Sequence, residues 1–348
     1  MRSRALVVPV LVVAAAMAGC GPSARTDLAE ACGVAEATLV APRAPVDNAL
    51  ARAGQALIYQ ATANRYALLA MPGCRVTPLA DVPERIGLGD VFLLPGGARL
   101  FTTSPPGRAD RSWWHAGGPD DVPARLAFLP DPASSYSPIL SDDGRWVAWP
   151  RLGTREAFRV EVVMRPPDGS AETSITIPRL EPDAYQLLQL DATAREVTIA
   201  RGLAEFMRVG FDGGIRWREH VEGVAAQPET FVRVADRSFA WDAVRDSGPY
   251  RLGWSGPSGR DTIAFERLRQ IQHAAVDPSG AFAAVSLETQ HGRLLSLSDA
   301  VAIVRLRDHR EVFRTYLPRY TRSRVAFLTD AYVAYSDADR VHVLRVQP

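Results

Sequence analysis

The body of the chain alternates short apolar runs with tight polar turns, a pattern that predicts β-strands joined by hairpins. Two clear copies cover residues 138–149 and 274–285, where Asp-Asp-Gly and Asp-Pro-Ser-Gly separate two apolar runs. Aspartate can accept hydrogen bonds from the backbone that follows it, and glycine adopts positive φ without a steric penalty, so both turns have a physical basis. The pattern predicts an all-β protein.

The strand–turn–strand unit recurs seven times. Its second strand ends, in order, at residues 69, 102, 149, 200, 241, 285 and 335, and the intervals average about 44 residues. Four short strands fit each interval, and one four-stranded sheet can bury both its faces only if neighbouring sheets stack on it. We therefore predict a seven-bladed β-propeller over residues 35–348.

The last repeat contains only three strand-like runs before the sequence ends, so its sheet needs a fourth strand. The apolar run Ala37–Val40 precedes the first repeat and is the predicted closing strand. Two β-sandwich domains that meet near residues 178–182 are an alternative with the same strand content.

Two of the repeats resemble a known family. Residues 141–149 read Ser-Asp-Asp-Gly followed by an apolar strand, and residues 277–280 read Asp-Pro-Ser-Gly. Both are similar to the Ser-Pro-Asp-Gly repeat of bacterial TolB-type periplasmic proteins, which have WD-like propeller repeats. Residues 211–217 look like the outer strands of pyrroloquinoline-quinone-type propellers. The resemblance is at the level of architecture and implies a propeller fold.

The N-terminus has the order of an export signal. Arg2 and Arg4 precede an apolar run over residues 5–17, which is shorter than the ~20 residues that span a bilayer. The segment predicts a signal peptide over residues 1–19.

The apolar run ends in Met-Ala-Gly-Cys20, which resembles the lipobox of bacterial lipoproteins. In that family the cysteine thiol takes a diacylglyceryl group before the signal peptide is removed. We therefore predict that Cys20 carries the lipid anchor and that residues 20–34 form a lipidated tether. The alternative is an ordinary signal peptide cut near residues 14–18, with Cys20 left as a free thiol.

Net charge adds little attraction to any partner, because 40 basic side chains oppose 39 acidic ones. This balance gives no basis for a nucleic-acid partner, and attachment to a membrane must come from the acyl chains. All the basic residues are arginines, which excludes Schiff-base and P-loop lysine chemistry.

Two cysteines, Cys32 and Cys74, remain after Cys20. Since disulfides persist in exported proteins, we predict that these two cysteines are bonded; two separately buried thiols are the alternative. The histidines lack metal-ligand spacing, so we predict no metal site and no cofactor.

Residues 103–136 interrupt the regular repeat with six prolines and the pair Trp113 and Trp114. Neighbouring strand residues point to opposite faces, so one of the two rings is available to a partner. We predict that this pair contributes to binding. The alternative places one ring in the core and the other between blades.

The residues that could act in catalysis or bind a metal stand at positions where the repeat needs structural residues. Asp142 and Asp143 could act as the paired carboxylates of a glycosidase, but they stand where the repeat needs turn residues. Residues 336–339 contain half of a calcium-loop pattern and favour a hairpin turn. His115 follows the two tryptophans and is expected to be a strand-edge residue. We predict no catalytic residue.

These observations favour a binding or scaffold protein with a protein or peptide partner. Its expected location is the periplasmic face of the outer membrane in a Gram-negative bacterium, or otherwise the outer face of the cell membrane. The alternative is an exported propeller enzyme, either a glycan hydrolase or lyase or a quinone-dependent oxidoreductase.

Overall fold

The structure, a computed structural model, describes residues 25–26, 28–80, 87–104, 112–129, 137–152, 160–177, 185–201, 205–227, 230–243, 249–257, 259–265, 269–289, 299–318, 321 and 323–346. Seven antiparallel sheets follow one another around a ring. The predicted seven-bladed β-propeller is confirmed, and the alternative of two β-sandwiches is wrong.

Two strands come first in the chain, β1 (Arg25–Thr26) and β2 (Ala29–Ala35). Blades 1 to 3 follow, each running from its innermost to its outermost strand. Blade 1 contains β3 (Ala37–Val40), β4 (Gln55–Gln60), β5 (Arg65–Ala70) and β6 (Arg75–Pro78). Blade 2 contains β7 (Gly87–Leu93), β8 (Arg99–Ser104), β9 (Ser112–Ala116) and β10 (Ala124–Arg125), and blade 3 contains β11 (Ile139–Leu140), β12 (Val147–Leu152), β13 (Val160–Arg165) and β14 (Thr173–Ile177).

Blades 4 to 7 have the same order. Blade 4 contains β15 (Tyr185–Asp191), β16 (Glu196–Arg201), β17 (Glu205–Gly210) and β18 (Ile215–His220), and blade 5 contains β19 (Phe231–Val234), β20 (Arg237–Trp241), β21 (Arg251–Gly256) and β22 (Gly259–Ala264). Blade 6 contains β23 (Arg269–Val276), β24 (Phe282–Thr289), β25 (Asp299–Arg305) and β26 (Arg310–Leu317), and blade 7 contains β27 (Val325–Thr329), β28 (Tyr332–Ser336) and β29 (Arg340–Arg345). A short helix, α1 (Ala49–Arg52), lies between β3 and β4, and a 3₁₀ turn, Pro95–Gly97, lies between β7 and β8.

An N-terminal strand closes the ring, as predicted, but it is β2 and not Ala37–Val40. The strand β2 pairs with β29 as the outermost strand of blade 7, while Ala37–Val40 is the innermost strand of blade 1. The first repeat that we identified spans β4 and β5, one strand later than the other six copies. Residues 29–34, which we assigned to the tether, therefore belong to the propeller, and β1 adds a fifth strand to blade 6.

Burial follows each strand's position in its blade. In the second strand of blade 6, Phe282 and the five residues after it are all buried, because neighbouring blades cover both faces of the sheet. In the outermost strand β18, exposed residues predominate. The core is therefore a set of apolar layers between blades, and the polar surface lies at the rim.

The predicted turns have the expected geometry. Asp277 accepts backbone hydrogen bonds from Ser279 at 3.2 Å and from Phe282 at 2.6 Å, and Gly280 has φ of 70°. These contacts give the Asp-Pro-Ser-Gly turn a fixed shape, so the two strands that it joins keep their register.

The predicted disulfide between Cys32 and Cys74 is confirmed, with a Cα–Cα distance of 6.6 Å. Cys32 lies on β2 in blade 7, and Cys74 lies in the turn between β5 and β6 of blade 1. The bond therefore joins the first and last blades across the point where the ring closes.

Candidate functional site

The connection between β3 and β4 enters the centre of the ring. It comprises residues 41–54, whereas β19 and β20 of blade 5 are joined by only two residues. We call residues 41–53 the axial plug. This segment contains α1 and reaches the innermost strands of the blades around it.

Hydrogen bonds fix the plug to several blades. The Arg43 backbone pairs with blade 2, donating to the Val91 carbonyl at 2.7 Å and accepting from Leu93 N–H at 2.9 Å. The Arg43 guanidinium donates to the Leu187 carbonyl of blade 4 at 3.1 Å. The Val46 carbonyl accepts from the backbone N–H of Arg233 in blade 5 at 2.6 Å.

Further contacts hold the end of the plug. The Asn48 side chain donates to the Val276 carbonyl of blade 6 at 2.5 Å, and the backbone of Asn48 is left-handed, with φ of 61°. Ala51 of α1 is buried beside Phe327 of blade 7. The plug therefore crosses the axis and contacts blades 2, 4, 5, 6 and 7.

A cavity of about 400 Å³ lies between the plug and the innermost strands. Its apolar lining includes Val46, Leu188, Phe231, Trp241 and Phe327, and its polar lining includes Arg43, Gln186, Thr230, Gln272, His273 and Arg324. Gln186, Thr230 and Arg324 lie at the starts of innermost strands, whereas the plug follows the end of β3. The innermost strands of all blades run in the same direction, so their starts lie at one end of the cavity and their ends at the other. These polar groups therefore lie at the end of the cavity opposite the end at which the plug leaves β3.

His273 is a buried titratable group of this axial cavity. Burial, and secondly the charge of Arg324, lower the pKa of His273 to about 3, while a backbone hydrogen bond to Val325 acts in the opposite direction. Its Nδ1 is buried and has no hydrogen-bond partner among the described residues, and its ring lies edge-on to Trp241 at 6.2 Å. The imidazole is therefore neutral at physiological pH.

The neutral state of His273 predicts a pH dependence of stability. The pKa is about 3 in the folded chain against an ordinary value of 6.5, so between these values the unfolded chain binds the extra proton. Stability from this group is complete above pH 6.5 and falls as the pH drops towards 3, by about 1.4 kcal/mol per pH unit. Denaturant unfolding of the parent and His273→Gln at several pH values should show a shallower slope for the variant. His220→Gln, at an exposed site, should keep the parent slope, and equal slopes for His273→Gln and the parent would contradict the assignment.

The predicted pair Trp113 and Trp114 lies on β9 of blade 2, with the two rings on opposite faces of the sheet. Trp113 is 4% exposed and packs in the core cluster that includes Trp149 of blade 3. Trp114 is half-buried against the cluster that includes Leu68 of blade 1, and its indole N–H donates to Thr103 Oγ at 2.7 Å. A binding role for the pair stays a prediction, and both rings have packing partners within the propeller.

The acidic pair Asp142 and Asp143 forms a turn. Asp142 Oδ1 accepts from the backbone N–H of Ala192 in blade 4 at 3.1 Å, and burial raises the pKa of Asp142. Asp143 Oδ1 accepts from Ser141 Oγ at 2.5 Å and from the backbone N–H of Arg145 at 3.0 Å. These contacts show that both carboxylates stabilise the turn.

Residues 336–339 and His115 are the two remaining candidates. In residues 336–339, Asp337 Oδ1 accepts from the backbone N–H groups of Asp339 at 3.1 Å and Arg340 at 2.8 Å, as a hairpin turn requires. The expectation that His115 is a strand-edge residue is wrong: it lies on β9, between β8 and β10, opposite Leu100 and Ala124. Burial, followed by the charge of Arg99, lowers the pKa of His115.

Cys20 and the predicted signal peptide lie outside the described residues. Within the described ranges, no helix is both long and apolar enough to cross a membrane. The part of the chain that the structure describes also contains no group of three or more histidine, cysteine, aspartate or glutamate side chains placed to hold a metal ion.

Comparisons with known proteins agree with the architecture. No protein-family model matches the chain, and no curated protein matches its sequence. The structure of the Myceliophteria thermophila Cps50 (Swd1) β-propeller domain is similar, with a TM-score of 0.50 and 10% identity over 89% of this chain and 100% of that one. TolB from Acinetobacter baumannii has a TM-score of 0.45 and 8% identity over 81% of this chain and 60% of its own.

An oligogalacturonate lyase in complex with manganese is also similar in shape, with a TM-score of 0.48 and 10% identity over 92% of this chain and 96% of the lyase. At 10% identity, the likeness to the Cps50 (Swd1) domain shows the fold alone. The chain is a seven-bladed β-propeller, and its resemblance to TolB-type repeats is confirmed at the level of architecture.

Sequence reasoning missed the plug and the cavity that it borders. The available signal was the length of the β3–β4 connection, which also contains Pro42 and Pro45. A connection this long between paired strands of a compact domain is uncommon and often functional. The polar lining gave no signal, because its residues come from the plug and from blades 4, 5, 6 and 7, which are far apart in the sequence.

Proposed function

We propose that this chain is a lipid-anchored binding protein of the bacterial envelope whose axial cavity holds a short segment of a protein or peptide partner. One observation carries this proposal: polar groups from blades 4, 5, 6 and 7 converge with Arg43 of the plug on one cavity of about 400 Å³. A volume of this size lies in the usual range of ligand sites.

The walls of the cavity are suited to binding. Its apolar surfaces, such as Leu188 and Phe231, offer area to exclude water, and its amide and hydroxyl groups, such as Gln186 and Thr230, offer directional contacts. These groups stand on a ring of paired strands, so they are held in place before a partner arrives and binding needs little reordering.

The lipid anchor in this proposal is supported by the N-terminal sequence. The basic residues, the apolar run and the lipobox-like ending at Cys20 occur in the order that lipoproteins have. We place the lipidated chain on the periplasmic face of the outer membrane in a Gram-negative host, or otherwise on the outer face of the cell membrane. A chain anchored in this way meets other envelope proteins at high local concentration, which favours capture of short segments.

Photo-crosslinking in the native host tests the proposal. A benzoyl-phenylalanine residue replacing Gln186 should form an adduct with a defined envelope protein, because position 186 borders the axial cavity. The same residue replacing Arg125, which is exposed on β10, serves as the matched control and should not form that adduct. Cys20→Ser in the same strain should move the protein out of the membrane fraction.

Two results would contradict the proposal. Identical adducts from positions 186 and 125 would show that the cavity does not select a partner. Normal processing and membrane retention of Cys20→Ser would show that Cys20 is not the anchor.

A further inference from the structure

We propose that the outer strands of blades 6 and 7 form the surface of the propeller that lies against the membrane, with one positively charged end turned towards an anionic phospholipid bilayer. We call these strands, β26, β1, β2 and β29, the closing rim. The inference rests on the lipid anchor of the proposed function and adds the surface that meets the bilayer.

The first described residues attach the start of the chain to the closing rim. β1 pairs with β26, where Arg25 lies opposite Arg314, and β2 then pairs with β29 from Ala29 to Ala35. Arg25 is only five residues after Cys20, and five residues span at most about 18 Å when fully extended. An acylated Cys20 in the bilayer therefore keeps the outer edge of blade 6 close to the membrane surface.

Ion pairs neutralise part of the charge on the closing rim. Glu30 on β2 binds Arg340 on β29 at 3.2 Å, and Glu311 binds Arg314 within β26 at 2.6 Å. Each of these pairs joins one positive and one negative side chain. The field of the rim therefore depends on the exposed charges that are left outside such pairs.

The exposed charges outside these pairs are separated by sign. Arg310 is the first residue of β26 and Arg345 is the last residue of β29; both are exposed, and no described residue forms an ion pair with either. Glu36 follows β2 and Asp339 precedes β29; both are exposed, and they too have no ion-pair partner in the described part of the chain.

Strand direction puts the two arginines at one end of the rim and the two acids at the other. Strands alternate in direction within each blade, so the fourth strand begins, and the third ends, where the innermost strand ends. Arg310 and Arg345 therefore lie at the end of the ring where the plug leaves β3. Glu36 and Asp339 lie at the end where the innermost strands start.

This separation orients the propeller on an anionic bilayer. The negative surface potential of such a bilayer attracts exposed arginines and repels exposed carboxylates. The short tether keeps the rim within the range of this potential, and the charges decide which end of the rim approaches the lipid headgroups.

The orientation leaves the axial cavity open to a partner. Gln186 and Thr230 lie at the starts of innermost strands, at the acidic end of the ring. This end is turned away from the bilayer, and the plug occupies the end that is turned towards it. A partner segment therefore reaches the polar part of the cavity without displacing the propeller from the membrane.

Energy transfer to the membrane tests this orientation in the purified, lipidated full chain, reconstituted in vesicles of phosphatidylcholine and phosphatidylglycerol with an acceptor dye on the lipid headgroup. A fluorescent coumarin residue replaces Ala29 at the arginine end of β2, Ala35 at its acidic end, or Ser174 on β14 of blade 3, which lies opposite the closing rim; all three positions are exposed. Transfer from position 29 should be at least about twofold that from position 35, because the two positions are about 20 Å apart along β2. Transfer from position 174 should be the weakest.

Two controls assign the effect to charge. The double variant Arg310→Gln, Arg345→Gln should abolish the difference between positions 29 and 35, whereas Arg75→Gln with Arg125→Gln, at exposed sites of blades 1 and 2, should preserve it. Vesicles of phosphatidylcholine alone should also abolish the difference, and this comparison needs no variant.

Equal transfer from positions 29 and 35 on the anionic vesicles, or stronger transfer from position 35, would overturn the orientation while leaving the anchor in place. Transfer from position 174 as strong as that from position 29 would overturn the closing rim as the contact surface. Failure of the lipidated chain to remain with any vesicle would contradict the anchor of the proposed function, and the orientation with it.

Discussion

Removing residues 1–35 should lower the free energy of unfolding by about 5 kcal/mol or more, close to the whole stability of a marginal domain. The deletion takes away β2, which is the outermost strand of blade 7, together with Cys32. The disulfide closes a loop over a sequence separation of 42 residues and should contribute about 4 kcal/mol on the chain-entropy model. Each lost hydrogen bond between β2 and β29 adds up to about 1 kcal/mol.

Two matched variants separate these contributions in denaturant unfolding of the oxidised chain. Removing only residues 1–28 keeps β2 and the disulfide and should cost less than about 1 kcal/mol, because β1 contributes a pairing of just two residues. The double variant Cys32→Ser, Cys74→Ser keeps β2 and should lose about 4 kcal/mol. If the chain that lacks residues 1–28 and the chain that lacks residues 1–35 unfold at the same denaturant concentration, β2 is not the closing element.

Replacing the plug, residues 41–53, with a short Asn-Gly turn should lower the free energy of unfolding by about 4 kcal/mol. The turn can be built because β3 and β4 are neighbours, with Val40 opposite Leu57. The loss arises because Val46 and Leu50 are 6% and 9% exposed in the parent, and burial of each such side chain is worth about 1.5–3 kcal/mol. Hydrogen bonds to the innermost strands are lost as well.

Asn48→Gly is the matched control for plug removal. Glycine keeps the left-handed backbone at position 48 and removes only the side-chain hydrogen bond to the Val276 carbonyl, so it should cost about 1 kcal/mol. Denaturant unfolding followed by tryptophan fluorescence measures both changes. A plug-free chain as stable as the parent would show that the plug only fills space and does not hold the inner strands.

Local patterns were sufficient to predict the number of blades. The Asp-x-Gly turns, such as the one at Asp277, encode their geometry within a few residues, so they can be recognised without knowledge of the fold. The closing strand could not be recognised in this way. Glu30 on β2 and Arg340 on β29 form an ion pair at 3.2 Å although they are 310 residues apart, and no local pattern records such a pairing.

The residues of the candidate site could not be predicted from the sequence, for a related reason. Gln186, Thr230 and Arg324 are ordinary residues at the starts of three strands, and only the ring brings them to one axis. The adjacent aromatic pair Trp113 and Trp114 gave a stronger local signal, but alternation along β9 directs the two rings into different interfaces between blades.

The disulfide also sets the order in which the molecule can be assembled. Cys32 and Cys74 are synthesised early, so the bond can form while most of the ring is absent. From then on β2 is held beside blade 1 with an unpaired edge, and its partner β29 is made only after blades 2 to 6. Holding β2 in place beside blade 1 lowers the entropy that β2 itself must lose when β29 pairs with it.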